Sequence, residues 1–171
     1  MGANALKKIL GLIICLPLAG CQNFLGIFKY DQPSPEEDTS PGKKLLIPPA
    51  EVWQIENCGS RELPYLRLDQ SEVVPKTIKV GDSIRYRLSY TACVPQQTPY
   101  IPSRLETKIS FKEKTENKRS DDDYMIETGK WIVDTHISVP KDARLGTYVL
   151  DAVLSIKGVM LQDHVSFNVE R

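Results

Sequence analysis

The sequence predicts an all-β fold, an antiparallel sandwich of about seven strands, on three observations. From Leu45 onward apolar residues recur at every second position, the period of a strand with one packed and one wet face. Proline and glycine punctuate these stripes at turn-length intervals. No stretch carries the repeat of an amphipathic helix.

The elements follow in order. Leu66-Arg67-Leu68 to Val73-Val74 reads as an edge strand, broken at Pro75 and resumed as Thr77-Ile78-Lys79-Val80. Proline is tolerated there because an edge has unpaired donors anyway. Val80-Gly81-Asp82 turns into the first long strand, where Ile84, Tyr86, Leu88 and Tyr90 alternate with Arg85, Arg87, Ser89 and Thr91. Leu105, Thr107, Ile109 and Phe111 form the next stripe, and Lys114 to Asp123 reads as a polar excursion. Trp131, Val133, Thr135, Ile137 and Val139 follow, then Tyr148, Leu150, Ala152, Leu154 and Ile156. Lys157-Gly158 marks a tight hairpin into Leu161, Val165, Phe167 and Val169. About seven strands in about 110 residues argue for the immunoglobulin-like type of sandwich.

One stretch adds to this. Val139-Pro140-Lys141-Asp142-Ala143-Arg144-Leu145-Gly146-Thr147-Tyr148 resembles the corner before the penultimate strand of many bacterial immunoglobulin-like and fibronectin-type-III-like domains. The resemblance implies that Pro140 ends one strand, Gly146 permits the turn and the Tyr148 hydroxyl bonds back to the corner. It speaks for architecture and carries no function.

Ahead of the sandwich, Lys7 and Lys8 open a leader whose apolar run, Ile9 to Leu18, is interrupted by Cys15 and Pro17. A bilayer core of about 30 Å needs roughly 20 apolar residues, so the run reads as a secretory signal and not a span. It ends in Leu18-Ala19-Gly20-Cys21, which resembles the lipobox of bacterial lipoproteins. The resemblance implies cleavage before Cys21, a diacylglycerol on its sulfur and acylation of the new amino terminus. Gln22 stands where inner-membrane retention usually shows aspartate, so the resemblance implies an outer-membrane anchor facing the periplasm. A single-membrane host and outward display stay open as other settings.

Residues 1–20 are thus expected to be signal peptide, 21–46 a lipid-anchored linker and 47–171 the sandwich domain. Gln22 to Tyr30 is apolar enough to lie near headgroups beside the anchor, with a docking peptide as the other reading. Asp31 to Lys44 combines three prolines with clustered acid and reads as disordered. A tether of about 25 residues has a typical span of roughly 25–30 Å.

Of the four cysteines, Cys15 leaves with the leader and Cys21 takes the lipid, so Cys58 and Cys93 remain. An exported chain folds in an oxidising compartment, and this pair is read as a disulfide. The rival is a two-cysteine metal site, which would lack a histidine near either residue in sequence. The bridge is expected to staple the segment Ile47 to Cys58 onto the domain.

The 22 basic and 22 acidic residues balance, which leaves no electrostatic footprint for nucleic acid. Catalysis needs a nucleophile, a base and a group that orients the base. His136 and His164, the only histidines, fall on strands expected in different sheets with outward faces pointing apart. No phosphate-binding glycine loop, zinc motif or serine elbow is found in the sequence. No catalytic residue, metal or cofactor is assigned.

Four features remain as candidates. Asp121-Asp122-Asp123 offers carboxylates to calcium, which takes six to eight oxygens, but reads more simply as a solvated loop tip. Arg85 and Arg87, with Lys108 and Lys112, form either a basic face for a glycan or headgroup or a set of cross-strand pairs. Asp134 would sit on the strand beside the arginines, each pair worth under about 1 kcal/mol. The segment Ile47 to Ile55 either packs as an extra strand or presents Trp53 to a partner, whereas Trp131 belongs to the core stripe. The proline-rich loop Val94 to Pro102 holds Tyr100 and Ile101, and prolines lower the entropy lost on binding. Tyr100, Ile101 and Trp53 are therefore the candidate partner-binding residues. The sequence leads to a lipid-anchored, non-enzymatic envelope protein that binds another envelope protein through loops or a sheet edge. The alternative is a module that grips a glycan or calcium.

Overall fold

The computed structural model describes residues 42–171. The expected signal peptide, Cys21 and the linker as far as residue 41 lie outside the described residues. The strands are β1 (Gly42–Ile47), β2 (Tyr65–Val74), β3 (Thr77–Lys79), β4 (Ser83–Cys93), β5 (Tyr100–Phe111), β6 (Lys114–Glu127), β7 (Gly129–Ser138), β8 (Gly146–Ile156) and β9 (Val159–Glu170). One sheet has the order β1-β7-β4-β2 and the other β3-β9-β8-β5-β6. All pairings are antiparallel except β3 with β9. The protein is an all-β sandwich.

The period-two stripes build its core. Ile84, Tyr86, Leu88 and Tyr90 of β4 face Leu150, Ala152, Leu154 and Ile156 of β8, and all eight are buried. Full burial of one such aliphatic side chain contributes about 1.5–3 kcal/mol. The edge strand read from Leu66 to Val80 is two strands, because at Pro75 the chain crosses from one sheet to the other. Lys157 and Gly158, with φ of 40° and 84°, make the expected hairpin. At the corner the Tyr148 hydroxyl donates to the Arg144 carbonyl at 3.0 Å. Gly146 has φ +130°, and a Cβ there would come within 3.2 Å of the Phe111 ring.

Three elements differ from expectation. The linker was expected to reach residue 46, yet Gly42–Ile47 is strand β1, paired antiparallel to β7. A lysine adds to the backbone ladder that holds it. The Lys43 ammonium lies 4.0 Å from the Trp131 ring centroid and donates to the Met125 carbonyl at 2.6 Å. Burial lowers its pKa, with the Glu127 carboxylate 3.9 Å away opposing that shift.

The second difference is helix α1 (Pro49–Ile55), in place of an extra strand. Pro49 opens its first turn, where a missing N–H goes unused, and Glu51 favours the positive end of the helix. The third is β6, a long edge strand where a polar excursion was expected. Lys112 and Glu113, with φ of 47° and 67°, turn the chain straight back from β5.

Two buried tyrosines make folding sensitive to alkali. The hydroxyls of Tyr90 and Tyr124 lie 3.0 Å apart. Burial pushes the Tyr124 phenol up to about 12 and raises that of Tyr90 as well. In the unfolded chain both titrate near 10. Their neutral forms therefore contribute stability that is complete below about pH 10 and lost as the pH climbs through about 12. Thermal melts across that window should show Tyr124→Phe losing less stability per pH unit than the native chain.

Candidate functional site

One end of the sandwich gathers the site. There β4 finishes at Cys93, β7 starts at Gly129, β1 runs out at Ile47, and α1 crosses between the two edges of its sheet. The Cys58–Cys93 disulfide joins the 3₁₀ turn Cys58–Ser60 to the end of β4 with Cα atoms 5.7 Å apart. Val52 of α1 packs on this bridge in a small core of its own, and Trp53 is half-buried beside it.

The helix is also held by ions. Its C-cap residue, Glu56, is nearly buried, and its carboxylate takes Arg67 at 2.8 Å and Arg61 at 3.3 Å. Arg67 reaches on to Asp69 at 2.9 Å, and Asp69 accepts the Thr91 hydroxyl at 2.6 Å. The hydrogen bond to Glu56 raises the Arg67 pKa further, so the guanidinium stays charged. These links weld α1 to β2 and β4.

Between α1 and the loop that follows β4 lies an open groove. Pro49, Trp53 and Gln54 form one wall, with Pro95, Gln96 and Pro99 opposite. The loop is fixed at its root, where the Val94 N–H donates to the Thr128 hydroxyl at 3.0 Å. Tyr100, 54% exposed, stands at the start of β5, and Ile55 at the end of α1 is 62% exposed. Leu45, Leu46, Met125 and Met160 are further large apolar side chains left exposed at or near this end.

The structure thus brings Trp53 together with the proline-rich loop and sets Tyr100 just beyond it. Ile101 does not belong to the site. It is 1% exposed, a core residue of β5, because the strand begins at Tyr100 and alternation turns the next side chain inward. Pro102 sits where β5 extends beyond its pairing with β8, so the absent donor is not missed there.

The other candidates separate. His136 on β7 and His164 on β9 are exposed on different sheets. Asp121, Asp122 and Asp123 lie exposed on β6, with Asp122 paired to Arg104 at 2.9 Å. Among the described residues no group of three or more His, Cys, Asp or Glu side chains is placed to hold a metal. Arg87 and Arg85 meet Asp134 at 3.2 and 3.8 Å, and Lys108 meets Asp151 at 3.2 Å, which is the cross-strand pairing reading.

Sequence reasoning missed two buried carboxylates, Glu56 and Asp163. The Tyr86 hydroxyl donates to Asp163 at 3.1 Å inside the core. Burial first, then the Asp163 charge, raises the Tyr86 pKa. The signal was available: Asp163 interrupts the inward stripe between Leu161 and Val165.

No protein-family model and no curated protein matches this chain. Solved structures share part of the sandwich. The CARDB domain of the PF1109 protein from Pyrococcus furiosus, in complex with di-metal ions, is 11% identical with TM-score 0.43, covering 64% of this chain and 96% of that one. The alkylpurine DNA glycosylase AlkC of Pseudomonas fluorescens, bound to DNA, is 13% identical with TM-score 0.44, covering 62% of this chain. A β-glucosidase from Listeria innocua is 10% identical with TM-score 0.44, covering 65% of this chain. The matched part spans 30% of the glycosylase and 17% of the glucosidase. Likeness at this level transfers no chemistry.

Proposed function

We propose that this chain is a lipid-anchored, non-enzymatic envelope protein that binds another envelope protein through the α1 end of its sandwich. One observation carries the reading. A disulfide and a part-buried ion cluster hold helix α1, and with it Trp53, over an open groove, in the region where large apolar side chains are left exposed. Preorganised aromatic anchors of this kind supply most of the energy in protein interfaces. The lipobox-like Leu18-Ala19-Gly20-Cys21 supports the anchor.

Two measurements test it. Intact mass of the native product should show a diacylglycerol on Cys21, and Cys21→Ala should free the protein from membranes; an unmodified sulfur would remove the anchor from the proposal. A photo-crosslinking residue at Tyr100 or Ile55 should capture one defined partner in cells, while the same residue at Leu145 should not. Trp53→Ala should reduce that capture at least about tenfold, as expected of an interface anchor. Equal capture from both ends would defeat the reading.

A glycan is the second occupant, because Gln54 and Gln96 place two amides beside the Trp53 ring. A sugar held there should stabilise the domain by about 2.7 kcal/mol at 100 times its dissociation constant. Absence of any shift across glycan fragments returns the groove to a protein.

A further inference from the structure

We propose that β6 is a self-association edge, on which two copies of this chain pair antiparallel with Ser120 on the two-fold axis. β6 closes one side of its sheet, and its residues from Lys114 to Asp123 are exposed. As an edge strand it turns one side of its backbone away from the sheet, where another strand can pair, although the Asp123 N–H already donates to Asp121 at 3.3 Å.

The charges on this edge are sorted by sign. Lys114, Lys118 and Arg119 precede Ser120, and Asp121, Asp122 and Asp123 follow it. Glu116 is the exception to this order, and it pairs with Arg144. Arg119 lies opposite Thr107 and Asp121 opposite Leu105, so both share the face turned toward the other sheet. Lys118 and Ser120, opposite Lys108 and Glu106, share the outer face.

An antiparallel copy reads this sequence in reverse. With Ser120 opposite Ser120, Arg119 meets Asp121 of the partner copy once on either side of the axis. The Lys118 and Asp122 charges stand one step further out, each also paired within its own chain, to Glu106 and Arg104 at 2.9 Å. Opposite charges at such cross-strand positions attract, and like charges there repel. A slip of two residues sets Arg119 against Arg119 or Asp121 against Asp121. Parallel pairing in register sets every charge against its like. One register is therefore favoured, and it is isologous.

Charges also guard edges against indiscriminate pairing. That task needs charge of any sign and does not call for basic and acidic halves about a central serine. Register shifts between β5 and β6 lie on either side of Asn117–Asp121, so the part of a Ser120-centred pairing that is regular on both copies is Arg119 to Asp121.

Cysteine crosslinking of the full-length chain in cells tests the proposal. Ser120→Cys should give a disulfide-linked dimer on mild oxidation, well above the background of the wild-type cysteines. Asn117→Cys and Thr147→Cys should stay at background, since neither lies on the axis. Adding Lys118→Glu with Arg119→Glu should lower the Ser120→Cys dimer at least about tenfold, and so should Asp121→Lys with Asp122→Lys. Co-expression of those two charge variants should restore a mixed dimer. A Ser120→Cys chain at background, equal crosslinking from Asn117→Cys, or no rescue in the mixture would each overturn the proposal.

Discussion

Breaking the Cys58–Cys93 bridge should cost the domain about 3–4 kcal/mol, on the chain-entropy value for a loop of this length. The bridge closes 35 residues. It is also the floor on which Val52 packs, so its loss loosens α1 and the Trp53 wall of the groove together. Equilibrium unfolding with and without reductant reads the first effect, and Cys58→Ser with Cys93→Ser should match the reduced protein. Partner capture through Tyr100 should fall in the same variant, since the groove loses its rigidity. A cost below about 1 kcal/mol would mean that the Glu56 ion cluster, and not the sulfur bridge, holds the helix.

Asp134→Ala should destabilise the protein by about 3 kcal/mol, the lower end for removing one partner of a buried ion pair. Read from sequence, the arginine–aspartate pairing is a surface contact worth under about 1 kcal/mol. Burial changes that value. Asp134 is 3% exposed, its Oδ1 accepts Arg87 Nε at 3.2 Å, and Arg85 lies 3.8 Å away. Arg87 keeps a second contact with Glu72 at 3.5 Å, which holds the cost toward the lower end. Asp134→Asn retains an acceptor in place and should lose less. Urea unfolding of the two variants separates the charge from the hydrogen bond.

The fold was legible wherever one face of a strand is buried. Ile84 to Tyr90 and Tyr148 to Ile156 alternate because one face packs into the apolar core and the other carries polar groups, and the tyrosine corner had its own local pattern. Where that asymmetry fails, reading fails. Most of β6 is polar on both faces because it stands at an edge exposed to water. β1 is short and follows a proline-rich stretch, and the Lys43 contact with the Trp131 ring that accompanies its pairing with β7 has no sequence period. Helix α1 has seven residues, too few for a repeat to declare itself. The candidate site was half legible. Trp53, Tyr100 and the loop prolines were singled out from residue type, and the structure sets Trp53 and the prolines around one groove with Tyr100 just beyond it. Ile101 was misplaced because flanking prolines hid the start of β5, and Glu56 looked like any surface acid.

The direction of β1 has a mechanical consequence. The strand enters at Gly42, level with Asp134, and runs toward α1. A pull on the chain ahead of Gly42 therefore acts along the strand axis, and its hydrogen bonds to β7 are loaded in shear together instead of unzipping one by one. Whatever tension passes β1 meets sulfur at Cys58 and is delivered to β4, a strand bonded on both sides. With the anchor proposed at Cys21, a tug from that side would leave the α1 end of the domain in shape.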